Sequence, residues 1–116
     1  MDYTIDEIED ADGKSHFREF QVAIKKKYSE LAGNIVGKII RLKKEANHGL
    51  LKPLGGGLFE LKVTGSNVVC RIFLCFGNDR NILLISGMIK KSKSEQSREI
   101  LKARRIRSNH FKQKGK

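Results

Sequence analysis

Residues Gly57 to Phe76 read GLFELKVTGSNVVCRIFLCF, two apolar runs around a short polar turn, with one positive charge, Arg71, in the middle of the second run. A buried charge without a partner is costly, so an arginine at the centre of such a strand requires a counter-charge, water or a ligand. Side chains alternate along a strand, so the register across the turn decides what Arg71 meets. A two-residue turn at Ser66 and Asn67 sets Lys62 opposite Arg71 and gathers Phe59, Leu61, Val63, Cys70, Ile72, Leu74 and Phe76 on one dry face. Leu58, Glu60, Lys62, Val69, Arg71 and Phe73 then share the other face. A three-residue turn instead places Arg71 among Phe59, Leu61 and Val63, which costs more, so the first register is expected.

A third strand over Ile82 to Lys90 follows the GNDR turn. Carried through a tight turn after Phe76, the alternation puts Leu83, Ile85 and Ile89 on the dry face and Ile82, Leu84, Ser86, Met88 and Lys90 on the other. With helices over the dry side, Lys62, Arg71 and Lys90 converge on a half-open face beside Glu60 and Ser86. A plain Arg71–Glu60 ion pair that neutralises both residues is the competing reading.

Upstream, Tyr3, Ile5 and Ile8 mark a short strand that turns at DADGK. From Phe17 the apolar spacing becomes helical: Phe17, Phe20 and Ile24, then, after a break, Ile35, Ile39 and Leu42. Two helices are expected, the second ending near ANHG with Gly49 as its cap. LLKPLGGG reads as a loop, its glycines serving turn chemistry rather than phosphate binding, since no Gly-Lys-Ser/Thr follows. Ser92 and Glu95 have capping-box spacing, which predicts a helix from about Lys93 to Arg107 held by Ile100, Leu101, Ala103 and Ile106. Residues 108–116 read as a frayed basic tail of one domain spanning 1–116. The fold class is therefore α+β: an N-terminal strand, a helical pair, a three-stranded antiparallel meander in a mixed sheet, and a basic C-terminal helix.

The net charge of +11 is unevenly placed. Residues 1–20 carry seven acids against two bases, whereas 90–116 carry eleven Lys/Arg against two Glu. Such a field favours a polyanion: nucleic acid, a ribosome, an anionic membrane surface or an acidic partner protein. Lys91, Lys93, Lys102, Arg104, Arg105 and Arg107 are the candidate RNA- or ribosome-binding cations. Cys70 and Cys75 fall on opposite faces of one strand and read as core residues; neither a metal site nor a cofactor is expected. No apolar run approaches the ~20 residues of a membrane span, and the start is acidic where a signal peptide is basic, so a cytoplasmic protein without membrane contact is expected.

If the cationic face cleaves RNA, a 2′-hydroxyl must be activated, the phosphorane charge stabilised and the leaving 5′-oxygen protonated. Arg71, Lys62 and Lys90 suit the second task and Glu60 the first. His16 and His48 read as surface residues, which leaves His110 as the titrating partner for the third.

The segments GGGLFELKV, CRIFLCF, ILLISGMIKK and EQSREILKARRIRSNHF resemble, in order and spacing, those of phage-derived HigB-like toxins in the RelE/ParE superfamily. The resemblance implies a RelE-like fold and the toxin of a bacterial toxin–antitoxin pair. Such toxins enter the ribosomal A site, cut the mRNA there, and are restrained by a small helix-turn-helix antitoxin. By position, Glu60, Lys62, Arg71 and Lys90 fall on the family's polar positions. Cys70 and Leu74 stand where the family has tyrosines, Ser86 replaces the strand histidine, and Met88 replaces an aromatic. Two further readings are a ParE-type gyrase poison, which needs no phosphate-cleaving groove, and an inactive module that binds RNA or an antitoxin. The missing histidine and tyrosines favour the second of these.

Overall fold

The computed structural model describes residues 2–45, 49–90 and 92–114. Strand β1 (Thr4–Glu7) leads to helices α1 (His16–Lys27) and α2 (Ser29–Lys44). Strands β2 (Leu51–Gly55), β3 (Leu58–Gly65), β4 (Val68–Phe76) and β5 (Asn81–Ile89) follow, and helix α3 (Lys93–Lys114) closes the chain. The five strands form one mixed sheet in the order β1-β5-β4-β3-β2, with β1 parallel to β5 and the other pairs antiparallel.

Local chemistry sets each boundary. Asp10 closes the loop before α1: its carboxylate accepts the Asp12 and Lys14 N–H groups at 2.9 and 3.0 Å and meets His16 Nε2 at 3.0 Å. The Lys14 N–H is the main reason that the Asp10 carboxyl lies below the usual range. Ser15 then caps α1, its Oγ accepting the Arg18 N–H at 3.0 Å and donating to Glu7 at 2.7 Å. Tyr28 both ends α1 and starts α2, so the two helices form a tight hairpin. Helix α2 stops at Lys44, capped by Glu45; Gly49 has φ +76° but lies beyond that cap, and residues 46–48, including His48, lie outside the described residues.

The segment expected as a loop before the meander is instead edge strand β2. Pro53 is tolerated there because an edge strand has one side without ladder partners, and the ladder bulges between Pro53 and Gly55. Gly55, Gly56 and Gly57 all take positive φ, as turn chemistry demands. Across the next turn, Lys62 pairs with Arg71 and Gly65 with Val68, the expected two-residue register, and Asn67 adopts φ +64°.

The register between β4 and β5 departs from strict alternation. Phe73 pairs with Ser86 but Leu74 with Leu84, so Ile85 is an extra residue in a β-bulge. One inserted residue moves everything before it to the other face. Ile82 and Leu84 therefore join Leu61, Val63, Cys70, Ile72 and Leu74 in the core beneath α1 and α2, while Leu83 and Ile85 join Leu58, Phe73, Cys75 and Met88 on the opposite side. Ser86 consequently sits across from Phe73, and Met88 occupies the place opposite Arg71.

That opposite side is no half-open face over most of its area. Helix α3 lies on it, burying Ala103 and Ile106 against Phe73, Ile85 and Met88, with Ile100 and Phe111 partly buried beside them; Leu101 points to solvent. The Ser92 hydroxyl accepts the Glu95 N–H at 3.2 Å and donates to the Glu95 carboxylate at 3.4 Å, which starts the helix where the capping box predicts. The helix does not end at Arg107 but runs to Lys114, through most of the expected tail. Cys70 and Cys75 lie in the two cores on opposite faces, and burial pushes their thiols up to about 12 and about 11. Neither is a thiolate at neutral pH. Among the described residues no helix is long and apolar enough to cross a membrane.

Helix α1 packs tightly on the sheet through Phe20 at Gly87, just past the bulge. A Cβ there lands 2.5 Å from Phe20 Cδ2 and 3.0 Å from Ile72 Cδ1. Gly87→Ala is expected to destabilise the fold by ~1–3 kcal/mol in urea unfolding, and shortening the opposing ring in Gly87→Ala/Phe20→Leu to recover part of that loss.

Candidate functional site

Because β3 and β4 pair Lys62 with Arg71, the side chain of Glu60, two residues earlier on the same face, lies diagonally across from Arg71. Arg71 Nη1 donates a hydrogen bond to Glu60 Oε2, and the pair is an ion bridge. The Glu60 side chain is 2% exposed and that of Arg71 12%, so this is a charge pair held inside the protein. The second carboxylate oxygen, Oε1, accepts from Gln96 Nε2 at 3.2 Å, and Gln96 belongs to the first turn of α3. Both oxygens of Glu60 are thus engaged, one by the sheet and one by the helix above it. Nothing in the sequence singled out Gln96, since its role depends on where α3 lies.

Among the described residues, two buried polar atoms on the same sheet face have no hydrogen-bond partner: Arg71 Nε and Ser86 Oγ. Ser86 is one register step from Arg71, not opposite to it.

Lys62 and Lys90 are exposed. Lys90 donates its backbone N–H to the Val69 carbonyl at 2.9 Å, which extends the β4–β5 ladder and puts its side chain on the Arg71 face. At this end α3 has not begun to cover the sheet. Four expected residues, Glu60, Lys62, Arg71 and Lys90, are brought together as a buried ion pair with two exposed lysines at its open margin.

His110 is not brought there. It lies on α3 fourteen residues beyond Gln96, about 21 Å along the helix axis at 1.5 Å per residue. It lines a small cleft with Glu9, Asp10 and Asn109 near the other end of the sheet. It cannot serve as proton donor at Arg71 without a rearrangement of the whole helix. His16 is likewise engaged elsewhere, on Asp10.

The cations of α3 divide into two sets. Lys93 and Arg105 face solvent, and Lys102 sits 3.9 Å from Glu99. Arg104 points inward, its two Nη groups each donating at 2.7 Å to the Leu54 and Gly55 carbonyls. Arg107 packs on the Phe111 ring at 5.0 Å and so closely against Gly57 that a Cβ there falls 2.6 Å from Nη2. Arg104 ties the end of β2 to the helix through the Leu54 and Gly55 carbonyls, which need donors, and Arg107 packs against Gly57 in the β2–β3 turn. Arg104 and Arg107 are thus partly buried with contacts inside the protein, whereas Lys93 and Arg105 are exposed, and Lys91 lies outside the described residues.

Chemically, the site can hold a phosphate near Lys62, Lys90 and the outer edge of Arg71 through charge-assisted hydrogen bonds. Among the described residues no group of three or more His, Cys, Asp or Glu side chains is arranged to hold a metal ion.

Removing one member of a buried pair strands the other. Arg71→Met is expected to cost ~3–5 kcal/mol in urea unfolding by leaving Glu60 charged and unpaired, whereas Glu60→Gln/Arg71→Met loses markedly less. A single-variant cost under about 1 kcal/mol, the range of an exposed pair, contradicts the buried arrangement.

The sequence profile of the family described as Phage derived protein Gp49-like (DUF891) matches residues 18–108. No curated protein matches the chain. The matched stretch runs from α1 into α3 and contains Glu60, Lys62, Arg71, Lys90 and Gln96. Covering more than three quarters of the chain and the whole of this site, it shows that the chain belongs to the phage-derived Gp49-like family, a family of RelE/HigB-like toxin type.

Proposed function

We propose that this protein is the toxin of a bacterial type II toxin–antitoxin pair, acting in the cytoplasm as a HigB-like, ribosome-dependent mRNA endoribonuclease. The observation that carries the reading is Arg71, held on Glu60 and flanked on the same face by the exposed Lys62 and Lys90. In-line attack of a 2′-hydroxyl on the neighbouring phosphorus builds negative charge on the phosphorane oxygens, and preorganised cations stabilise it. Lys62 and Lys90 supply that charge at the surface, and Arg71 reinforces it from below. Glu60 accepts the 2′-hydroxyl proton only after Gln96 releases Oε1, so the start of α3 must lift before cleavage. Proton donation to the 5′-oxygen falls to the ribosome or its water, because Ser86 does not titrate near neutral pH and His110 is remote.

The exposed cations Lys93 and Arg105, with the +11 net charge, favour rRNA and mRNA as partners through phosphate contacts whose strength falls with salt. A second reading, an RNA-binding member that does not cut, is favoured by the full engagement of both Glu60 oxygens.

The test is primer extension on a defined mRNA, with purified protein added in parallel to translating ribosomes and to naked RNA. Codon-phased cuts that require ribosomes, and fall by at least tenfold in Lys62→Ala/Lys90→Ala, are the expected result. Both lysines are exposed, so this variant leaves the fold intact where an Arg71 substitution does not. Absence of cuts with folded, antitoxin-free protein overturns the nuclease; accumulation of DNA breaks in cells instead identifies a gyrase poison.

A further inference from the structure

Strand β1 pairs with β5 only from Asn81 to Leu84, and among the described residues no other strand takes up that side of β5 beyond it. Lys90 donates its N–H to the Val69 carbonyl, so Met88 and Lys90 turn their backbone groups toward β4 while Gly87 and Ile89 turn theirs to the open edge. This edge borders a cleft of about 520 Å³ between α1 and α3. Phe20 of α1 stands on one side of it, its ring packed on Gly87, and Glu95, Arg98 and Glu99 of α3 stand on the other. A cleft of that volume admits a small organic group.

Its chemistry differs from that of the neighbouring cationic margin. The two acids of residues 90–116, Glu95 and Glu99, both line it. Two carboxylates beside one guanidinium repel a phosphate but accept from a group rich in N–H donors. Glu95 is engaged by Ser92 in the helix cap, whereas Glu99 has Lys102 at 3.9 Å, and Arg98 makes no hydrogen bond or ion pair among the described residues. Lys90 directly follows Ile89, so a phosphate held at Lys62 and Lys90 leaves its own base within reach of the cleft. Single-stranded RNA is read by splaying a base onto an aromatic side chain and hydrogen-bonding its edges. Of the four bases, guanine alone presents two adjacent donors, N1–H and N2–H, together with two adjacent acceptors, O6 and N7. A carboxylate matches the first pair and a guanidinium the second. A docked β-strand is a poorer match, because Gly87 and Ile89 offer it only a two-residue ladder.

We propose that the cleft at the β5 edge is a base pocket for guanine in single-stranded RNA. Phe20 takes the face of the base, Glu99 its N1–H and N2–H donors, Arg98 its O6 and N7, and the Gly87 and Ile89 backbone closes the remaining side. The inference deepens the RNA-cleaving reading by naming the base selected, and rests on that reading for the RNA itself.

The experiment titrates the isotopically labelled full-length chain with the 2′-O-methyl trinucleotides UGU, UAU, UCU and UUU and follows the backbone amides by NMR, alongside the ribosome-dependent cleavage assay. The methyl group blocks the attacking hydroxyl, so binding is read without cleavage. UGU is expected to bind at least fivefold more tightly than the other three and to shift the Gly87 and Ile89 amides. Glu99→Gln and Arg98→Ala, both on the outer part of α3, are each expected to bring that ratio to within twofold. The ratio is the readout because loss of a carboxylate strengthens binding of every oligonucleotide. Equal binding of the four, or preference for another base, overturns the pocket and leaves the cationic site standing. No trinucleotide binding overturns the pocket alone if codon-phased cuts persist, and the RNA-cleaving reading with it if they are absent. Shifts at Gly87 and Ile89 caused by the protein encoded beside this chain, and by no trinucleotide, identify a strand-docking edge and overturn the base pocket.

Discussion

Glu60 and Arg71 put a full positive and a full negative charge in the middle of a sheet that is covered on both faces, and the surrounding architecture follows from keeping those charges satisfied. Neighbouring positions on β3 and β4 bring the two side chains together, but a carboxylate has more acceptor capacity than one guanidinium Nη fills. The start of α3 meets that need through Gln96. A helix that merely buried Ala103 and Ile106 has several ways to slide along the sheet; one that also completes the hydrogen bonding of a buried charge has far fewer.

Helix α3 is pinned at a second place by a different chemistry. The Leu54 and Gly55 carbonyls at the β2–β3 turn are taken by Arg104, and Arg107 packs against Gly57 in the same turn. One of the cations that a charge-based reading assigns to nucleic acid, Arg104, is therefore part of the internal hydrogen-bonding of the protein, and another, Arg107, packs on Phe111 and Gly57. What remains for an external polyanion is the margin at Lys62 and Lys90, with the exposed cations along α3.

The β-bulge in β5 is what makes the covered sheet consistent. Strict alternation after Phe76 sends Leu83 and Ile85 under the hairpin and Ile82 and Leu84 toward Arg71. Inserting Ile85 exchanges them and fills both cores with aliphatic side chains, while Gly87, beyond the bulge, keeps its place under Phe20. All five residues from Ile82 to Ser86 are buried, and four of them are aliphatic, so the sequence pattern carries no polar marker of which residue is extra. The edge strand β2 was hidden for a related reason. Pro53 and the glycines read as a loop because they forbid a central strand, yet an edge strand with a bulge tolerates them.

By itself the amino-acid sequence determined the α+β class, the two-residue turn that faces Lys62 with Arg71, the face shared by Glu60, Lys62, Arg71 and Lys90, and the start of α3 at its capping box. Each of these depends on contacts between residues close in the chain or on one local period, where steric and hydrogen-bonding preferences act directly. Only the tertiary structure decided that α3 closes over that face, that Gln96 completes the site, that Arg104 and Arg107 turn inward, and that His110 stands a helix length away. Those outcomes depend on how a thinly apolar helix settles on a sheet. Its position is chosen by the sum of Ala103 and Ile106 burial, the satisfaction of Glu60 and the carbonyls of a distant glycine turn, and no local pattern of residues encodes that sum.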